Sequence, residues 1–315
     1  MKQISAIILS LLFLTFMPAV AAEWALPTLS IVNMRSEPRH SAELASQALM
    51  GMPVKIIERQ GDWCLIETPD SYRAWAEADA LSVRSDSRMN DWRDSERLVV
   101  TAVYTVRCYS KPSSRQVSDV VSDLVNGDIV EQADAETVDG CISILLPDGR
   151  KAWVDSDAVT PIRRWAMQDF DSQLILDMAS SMMGQPYLWG GTSTKGVDCS
   201  GLVKVCYLAN SIILPRDAAP QGRVGKHIST DSLNECKSGD LLFFGNGRTG
   251  RITHVAIYDR DKQYIHSSGR VRRNSFDPND SIYLGRPVLH AVRIDGHIGT
   301  QGIVRAADHP WYFNL

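Results

Sequence analysis

Thr253-His254-Val255-Ala256-Ile257-Tyr258 is followed by Asp259-Arg260-Asp261-Lys262 and then by Gln263-Tyr264-Ile265-His266-Ser267. Both outer runs alternate in the period of a strand, and the charged stretch between them supplies a turn. The segment reads as an antiparallel hairpin. With a three-residue turn, Tyr258 faces Lys262, and counting back sets His254 opposite His266. Directly opposed side chains have Cβ atoms about 4.5–5.5 Å apart, so two imidazoles meet on one face. A slip of one residue sends one of them to the far side, so the reading hangs on the turn. A lone strand histidine is ordinarily structural. Two paired across a hairpin point to a general base, His254, and a group that orients it, His266.

Upstream, Asp198-Cys199-Ser200-Gly201 opens a helix whose apolar stripe is Leu202, Val205, Cys206, Ala209 and Ile213. Asp198 reads as the N-cap, which leaves Cys199 in the first turn. There the helix dipole and free N–H groups favour a thiolate, and the same N–H groups suit an oxyanion. Cys199 is the candidate nucleophile; the alternative reading is a small buried cysteine. Cys206, on the stripe, reads as packing. An earlier helix carries Leu174, Ile175, Met178, Ala179 and Met182, with Gly184 as its C-cap. Strands over 241–244, 253–258, 263–267 and 289–294 follow, so helices precede an antiparallel sheet, an α+β arrangement.

The N-terminal half contains an internal repeat. Arg35 answers Arg107, Gly51-Met52-Pro53-Val54 answers Gly127-Asp128-Ile129-Val130, Cys64-Leu65-Ile66 answers Cys141-Ile142-Ser143, and Ala74-Trp75 answers Ala152-Trp153. Short β-rich runs separated by turn residues, in units of about 60 residues, indicate small β-barrels. They resemble bacterial SH3-like domains. A polar, charge-mixed linker with Trp92 joins them. Before both, Met1-Lys2-Gln3, the apolar run 4–17 and Ala19-Val20-Ala21-Ala22 form the three-part pattern of a secretory leader. The expected organisation is a leader over 1–22, SH3-like domains over 23–84 and 98–162 with a linker over 85–97, and a catalytic domain over 163–315.

The 315-residue chain is 44% hydrophobic and 22% charged, with 33 Lys and Arg against 37 Asp and Glu. That composition belongs to a folded protein and excludes disorder as the main state. No basic field exists to hold nucleic acid or an anionic membrane. No membrane segment is expected once the leader is removed. Neither C-x-x-C nor histidine-rich spacing occurs, so no metal or other cofactor is expected. Cys108 and Cys141 share the second repeat, and their pairing stays open.

Tyr187-x-Trp189-Gly190-Gly191, Asp198-Cys199-Ser200-Gly201, Thr253-His254-Val255-Ala256-Ile257-Tyr258 and Ile265-His266-Ser267-Ser268 resemble the NlpC-type cell-wall cysteine peptidases over roughly residues 165–295. The resemblance implies a papain-like α+β core and cleavage of murein stem peptides between D-glutamate and a diamino acid. It implies Cys199 as nucleophile, His254 as base, His266 as the third polar residue and Tyr187 at the oxyanion or substrate backbone. Trp189, Asp198 and Ser200 match substrate-site positions. The SH3-like domains and Leu214-Pro215-Arg216-Asp217 resemble the YkfC-like subgroup, which implies that Asp217 binds the free amine of an N-terminal L-Ala with help from Tyr72. Tyr72 breaks the repeat, since Arg150 stands at the corresponding place. The stretch Ala218-Ala219-Pro220-Gln221 departs from the subgroup's usual Asp or Gln residues.

The function expected is an exported, periplasmic or extracellular, cysteine endopeptidase acting on L-Ala-γ-D-Glu-diamino acid stem peptides. Two alternatives stand beside it: an endopeptidase on intact wall anchored by its SH3-like domains, and an inactive wall-binding protein. Residues 296–315 lie outside the resemblance.

Overall fold

The matched runs of the N-terminal half fold into one strand plan used twice. The computed structural model describes residues 23–230 and 233–314; the leader expected over 1–22 lies outside the described residues. Strands β1 (Glu23–Pro27), β2 (Ile31–Arg35), β3 (Leu44–Leu49), β4 (Val54–Gln60), β5 (Trp63–Glu67), β6 (Arg73–Glu77) and β7 (Leu81–Arg84) form a sheet in the order β3-β2-β6-β5-β4-β1-β7. After helix α1 (Asp86–Asp94), strands β8 (Arg97–Val100), β9 (Val106–Tyr109), β10 (Val120–Leu124), β11 (Ile129–Val138), β12 (Cys141–Leu145), β13 (Lys151–Asp155) and β14 (Val159–Pro161) repeat it as β10-β9-β13-β12-β11-β8-β14. Each sheet closes over its own core, Val32, Met34, Val54 and Ile66 in the first and Val106, Leu124, Ile144 and Val154 in the second. The ladders correct the alignment by one residue. Trp75 pairs with Leu65 and Trp153 with Ser143, so Cys64 answers Ile142 rather than Cys141. Cys108 and Cys141 are both free thiols, bonded instead to the Ser122 carbonyl and the Asp155 carboxylate.

The charge-mixed linker is largely helical. The Ser85 hydroxyl accepts from the Arg88 amide and so caps α1. Met89 and Trp92, three residues apart, share one buried face. Arg97 follows, 2% exposed, donating to the carbonyls of Arg93 and Tyr312 with its guanidinium 4.2 Å from the Trp92 ring centroid. Burial, and then the nearby Arg163, push its pKa down to about 10.

The second half places helices on one face of an antiparallel sheet. Its elements are α2 (Ile162–Ala166), α3 (Ser172–Ser181), β15 (Thr192–Ser193), β16 (Gly196–Val197), α4 (Cys199–Ala209), β17 (Ile212–Ile213), α5 (Ala218–Gln221), β18 (Lys226–Ile228), β19 (Leu241–Asn246), β20 (Arg251–Tyr258), β21 (Gln263–Ser268), β22 (Arg270–Ser275), β23 (His290–Arg293) and β24 (Val304–Arg305). The main sheet runs β18-β23-β19-β20-β21-β22. Leu241, Phe243, Val255 and Ile257 face α3 and α4, while Leu242, Phe244, Ala256 and Tyr258 fill the opposite face. That alternation follows the two-residue period of a strand. Ile213 belongs to β17 rather than to the helical stripe, because the chain leaves the helix at Asn210 and takes φ +58° at Ser211. No helix among the described residues is long and apolar enough to cross a membrane.

The tail has a structural role that its sequence did not disclose. β24 pairs with β17, and Ala306, Tyr312 and Phe313 then join Trp24, Trp92, Ile129, Trp165 and Ile213 in one buried cluster. The cluster therefore takes in both barrels, the linker helix and the catalytic half. Trp311 N–H donates to His309 Nδ1, so His309 Nε2–H donates to the Pro69 carbonyl at 3.0 Å. Pro69 opens the Asp70-Ser71-Tyr72 loop of the first barrel, whose Ser71 sits at φ +61°. Lys204 of α4 holds the same loop through a 2.6 Å ion pair with the 3%-exposed Asp70 side chain. Tyr312→Ala is expected to cost about 3–5 kcal/mol, the usual price of emptying a buried aromatic site. Denaturant unfolding of the full chain checks it; a midpoint equal to that of the unaltered protein contradicts the clasp.

Candidate active site

The start of α4 is fixed by a single carboxylate. Asp198 Oδ1 accepts from the Gly201 amide at 2.7 Å, and Oδ2 accepts from the Gly190 amide at 3.0 Å. Arg216 donates Nη1 to Oδ1 and Nη2 to Oδ2 at 3.1 and 2.5 Å, and also reaches Ser200 Oγ at 2.9 Å. The pair is buried, with Asp198 7% and Arg216 3% exposed. A Cβ on Gly201 would lie 1.9 Å from the Gly191 carbonyl, so only glycine lets that loop close on the helix. Gly190 has φ +78°, and a Cβ there would meet the Leu44 carbonyl of the first barrel at 2.3 Å.

This frame leaves Cys199 in the first turn, 8% exposed. Burial, and then the Asp198 charge, push its thiol up; the Val255 and Ser200 N–H groups and Arg216 pull it down, and the balance stays above the ordinary value. Burial therefore works against the thiolate that the helix N-terminus favours. Arg216, which favours the anion, is at the same time bonded to Asp198, which disfavours it.

The two histidines meet, though not in the expected register. β20 pairs with β21 as Ile257 with Ile265 and Tyr258 with Tyr264, which lengthens the turn and moves the ladder by two residues. Asp261 and Lys262 both take positive φ within it. An even shift preserves the face, so His254 and His266 become diagonal neighbours with His254 Nε2 2.7 Å from His266 Nδ1.

Hydrogen bonding then assigns each proton. Asn274 Nδ2 donates to the Ile282 carbonyl, which turns its Oδ1 toward His266 Nε2 at 2.9 Å. His266 must carry its proton on Nε2 and accept at Nδ1. His254 therefore donates from Nε2, and its Nδ1 holds the free lone pair that a base requires. Burial lowers the His254 pKa to about 3, with His266, Arg286 and Arg272 acting in the same direction. Burial also lowers His266 to about 4, against the Asn274 bond. Asn274 was missed in the sequence because Arg270-Val271-Arg272-Arg273-Asn274 is too polar to read as a strand, although β22 is the edge of the sheet.

A cleft of about 460 Å³ opens beside Cys199. Tyr187, Trp189 and Asp217 line it together with Glu43 and Tyr72 of the first barrel. Trp189 is 60% exposed, and its Nε1–H donates to Glu43 at 2.5 Å. Burial, and then the charges of Cys199 and Asp198, raise the Tyr187 pKa, so its hydroxyl stays protonated and able to donate. Asp198 and Ser200 line the cleft, but their polar atoms are spent on Arg216 and the helix cap. Asp217 precedes α5 without capping it, and among the described residues its carboxylate has no hydrogen-bond or ion-pair partner. A second cavity of about 470 Å³ between Asp240, Asp259 and Arg293 contains Cys236 but no histidine to act as its base.

A model of the NlpC/P60 family matches residues 184–293, and a model of the bacterial SH3 domain matches residues 30–82. A Bacillus cereus (strain ATCC 10987) protein named gamma-D-glutamyl-L-lysine dipeptidyl-peptidase is 30% identical over 237 residues, 71% of this chain and 67% of that one. Dipeptidyl-peptidase 6 of Lysinibacillus sphaericus is 30% identical over 264 residues, 80% of this chain and 92% of the relative.

The chain belongs to the NlpC/P60 family. It is a cysteine peptidase with an SH3-like all-β region ahead of an α+β catalytic domain. The crystal structure of an NlpC/P60 family protein from Bacillus cereus ATCC 10987 shares the fold, with TM-score 0.72 and 22% identity over 86% of this chain and 99% of that one.

The depressed imidazole pKa values give a pH test for this NlpC/P60 peptidase. His254 must be neutral to accept a proton, and it protonates near pH 3 rather than at the free value of 6.5. The acid limb of kcat/KM is expected below about pH 5; a limb at 6.5 contradicts the burial of the pair. Stability should fall as pH drops from about 6.5 toward 3, because only the unfolded chain binds those protons in that window. Asn274→Leu is expected to lower kcat at least about 10-fold with little change in KM, since a misplaced tautomer disables a base. Steady-state kinetics at neutral pH measures both constants.

Proposed function

We propose that this peptidase hydrolyses the γ-D-glutamyl bond to the diamino acid in murein stem peptides whose N-terminal L-Ala is free, and that it does so outside the cytoplasm. The observation that carries the reading is the Asp217 carboxylate, without a hydrogen-bond or ion-pair partner among the described residues, in the same cleft as Cys199 and Tyr72 of the first barrel. Burial raises the Asp217 pKa against the pull of Arg216, and burial followed by the Asp217 charge raises that of Tyr72. Each group gains by meeting a cation. A substrate ammonium supplies it, and a site built for that ammonium rejects peptides that lack it. Intact wall, whose L-Ala amine is acylated, is then excluded. The leader pattern of residues 1–22 supports export, and the relatives' names support a γ-D-glutamyl substrate.

The chemistry proposed is nucleophilic catalysis through a thioester. Cys199 Sγ attacks the γ-carbonyl carbon as its proton passes to His254 Nδ1. The oxyanion of the tetrahedral intermediate is met by N–H groups at the start of α4 and by the Tyr187 hydroxyl. Collapse forms a thioester and breaks the C–N bond, and the departing amine takes the proton from His254. Water then gives a proton to His254, attacks the thioester and releases the dipeptide acid and the thiol.

Cys199→Ala should abolish cleavage of L-Ala-γ-D-Glu-diaminopimelate while leaving its binding intact. Asp217→Ala should raise KM for that peptide about 10- to 100-fold, the worth of a charged hydrogen bond, and leave the slow cleavage of its N-acetylated form unchanged. Mass analysis of products, with initial rates on free peptide, acetylated peptide and polymeric murein, decides the matter. Equal rates of the unaltered enzyme on all three would refute the amine requirement.

A further inference from the structure

The short helix that follows Asp217 is anchored by its last residue. Gln221 is fully buried. Its side-chain Nε2 donates to the Ser200 carbonyl at 3.1 Å and to the Pro215 carbonyl at 2.9 Å. Its backbone N–H donates to the Asp217 carbonyl at 3.0 Å. One residue thus grips the chain on both sides of Arg216 and, through Ser200, the residue next to the nucleophile. The orientation of the amide is fixed, because a flip would set Oε1 against two carbonyl oxygens. Oε1 itself is buried without a donor. Filling the space alone would not call for an amide whose acceptor goes unpaired.

The next residue seats α5 from below. His290 Nε2–H donates to the Gly222 carbonyl at 3.0 Å, and a Cβ on Gly222 would lie 2.6 Å from Ile252 Cδ1. Ile252 lines the Cys199 cleft, as do Ala218 and Ala219 of α5. Helix α5 therefore rests on the strand that carries His254, and Gln221 ties it to the helix that carries Cys199. The Asp217 carboxylate has no hydrogen-bond or ion-pair partner among the described residues, so the backbone around it decides where it stands. We propose that Gln221 is a positioning residue that sets the spacing between Asp217 and Cys199, and with it the length of the N-terminal residue that the cleft accepts. This rests on the free-amine reading and deepens it: the ammonium must lie at one distance from the scissile carbonyl. A β-alanine in place of L-Ala adds one C–C bond, about 1.5 Å, between the ammonium and the rest of the peptide.

Three peptides test the spacing: L-Ala-γ-D-Glu-diaminopimelate, its β-Ala form and its N-acetyl form. The unaltered enzyme should cleave the β-Ala form with kcat/KM about 10- to 100-fold below that of the L-Ala form, the scale of a misplacement of about 1 Å. Gln221→Met, similar in size but without the NH2 donor, should lower kcat/KM on the L-Ala peptide about 10-fold, mostly through KM. The β-Ala and acetylated peptides, which do not depend on that spacing, should lose little, so the L-Ala to β-Ala ratio falls toward one. Gln221→Glu, which keeps the shape and at most one of the two bonds, should show the same loss in milder form. Alkylation of Cys199 by iodoacetamide should keep its rate in both variants, which separates a displaced Asp217 from a damaged nucleophile. Parallel losses on all three peptides would overturn the proposal, and so would failure of both variants to fold, since either assigns Gln221 to stability alone. Equal handling of L-Ala and β-Ala by the unaltered enzyme would overturn it without any variant. Equal rates of the unaltered enzyme on the free and acetylated peptides would instead refute the amine requirement, and the spacing role with it.

Discussion

The buried pairing of Asp198 with Arg216 is the interaction on which the rest of the site is built. Moving two charges out of water is costly, and such a pair is tolerable only when the remaining lone pairs and protons find partners. Asp198 meets that condition with the amides of Gly190 and Gly201, the Ser200 hydroxyl and two guanidinium nitrogens. The same carboxylate thereby starts the nucleophile helix, anchors the loop that carries Tyr187 and Trp189, and fixes the backbone one residue before Asp217. Removing either partner would leave a stranded buried charge beside the reacting sulfur. The pair also acts on that sulfur from both sides, Asp198 raising its pKa and Arg216 lowering it.

Local pattern was enough to place the candidate residues and too little to read their support. The N-cap at Asp198, the helix after it and the face shared by His254 and His266 all followed from short-range rules. Those rules tolerate an error of two residues in the turn, because strand faces repeat every second residue. The same tolerance did not extend to the repeat, where a one-residue insertion shifted Cys141 against Cys64. Asn274 stayed hidden because an edge strand exposed on one side has no apolar rhythm. Arg216 appeared only as part of a motif, since nothing near it in sequence reveals a partner 18 positions away.

The two barrels have the same strand order but different duties. The first supplies Glu43 and Tyr72 to the cleft, and its Gln47 accepts from the Thr192 amide and the Ser193 hydroxyl. The second bears on the first: Asp128, fully buried, accepts from the amides of Met50 and Val125, and Ile129 N–H donates to the Met50 carbonyl. Burial raises the Asp128 pKa strongly, so this contact has a charge or a proton to accommodate in its interior. One copy shapes the substrate site, and the other buttresses it.

The bond from His309 to Pro69 joins places 240 residues apart in the chain. The ribosome delivers the Tyr72 loop early and its anchor late. Between residue 199 and residue 309, then, the growing polypeptide carries Cys199 with an unfinished wall opposite it. The wall opposite Cys199 is complete only once the closing segment is bonded to Pro69, so a clipped carboxyl terminus would loosen the Tyr72 loop before it disturbed the sulfur.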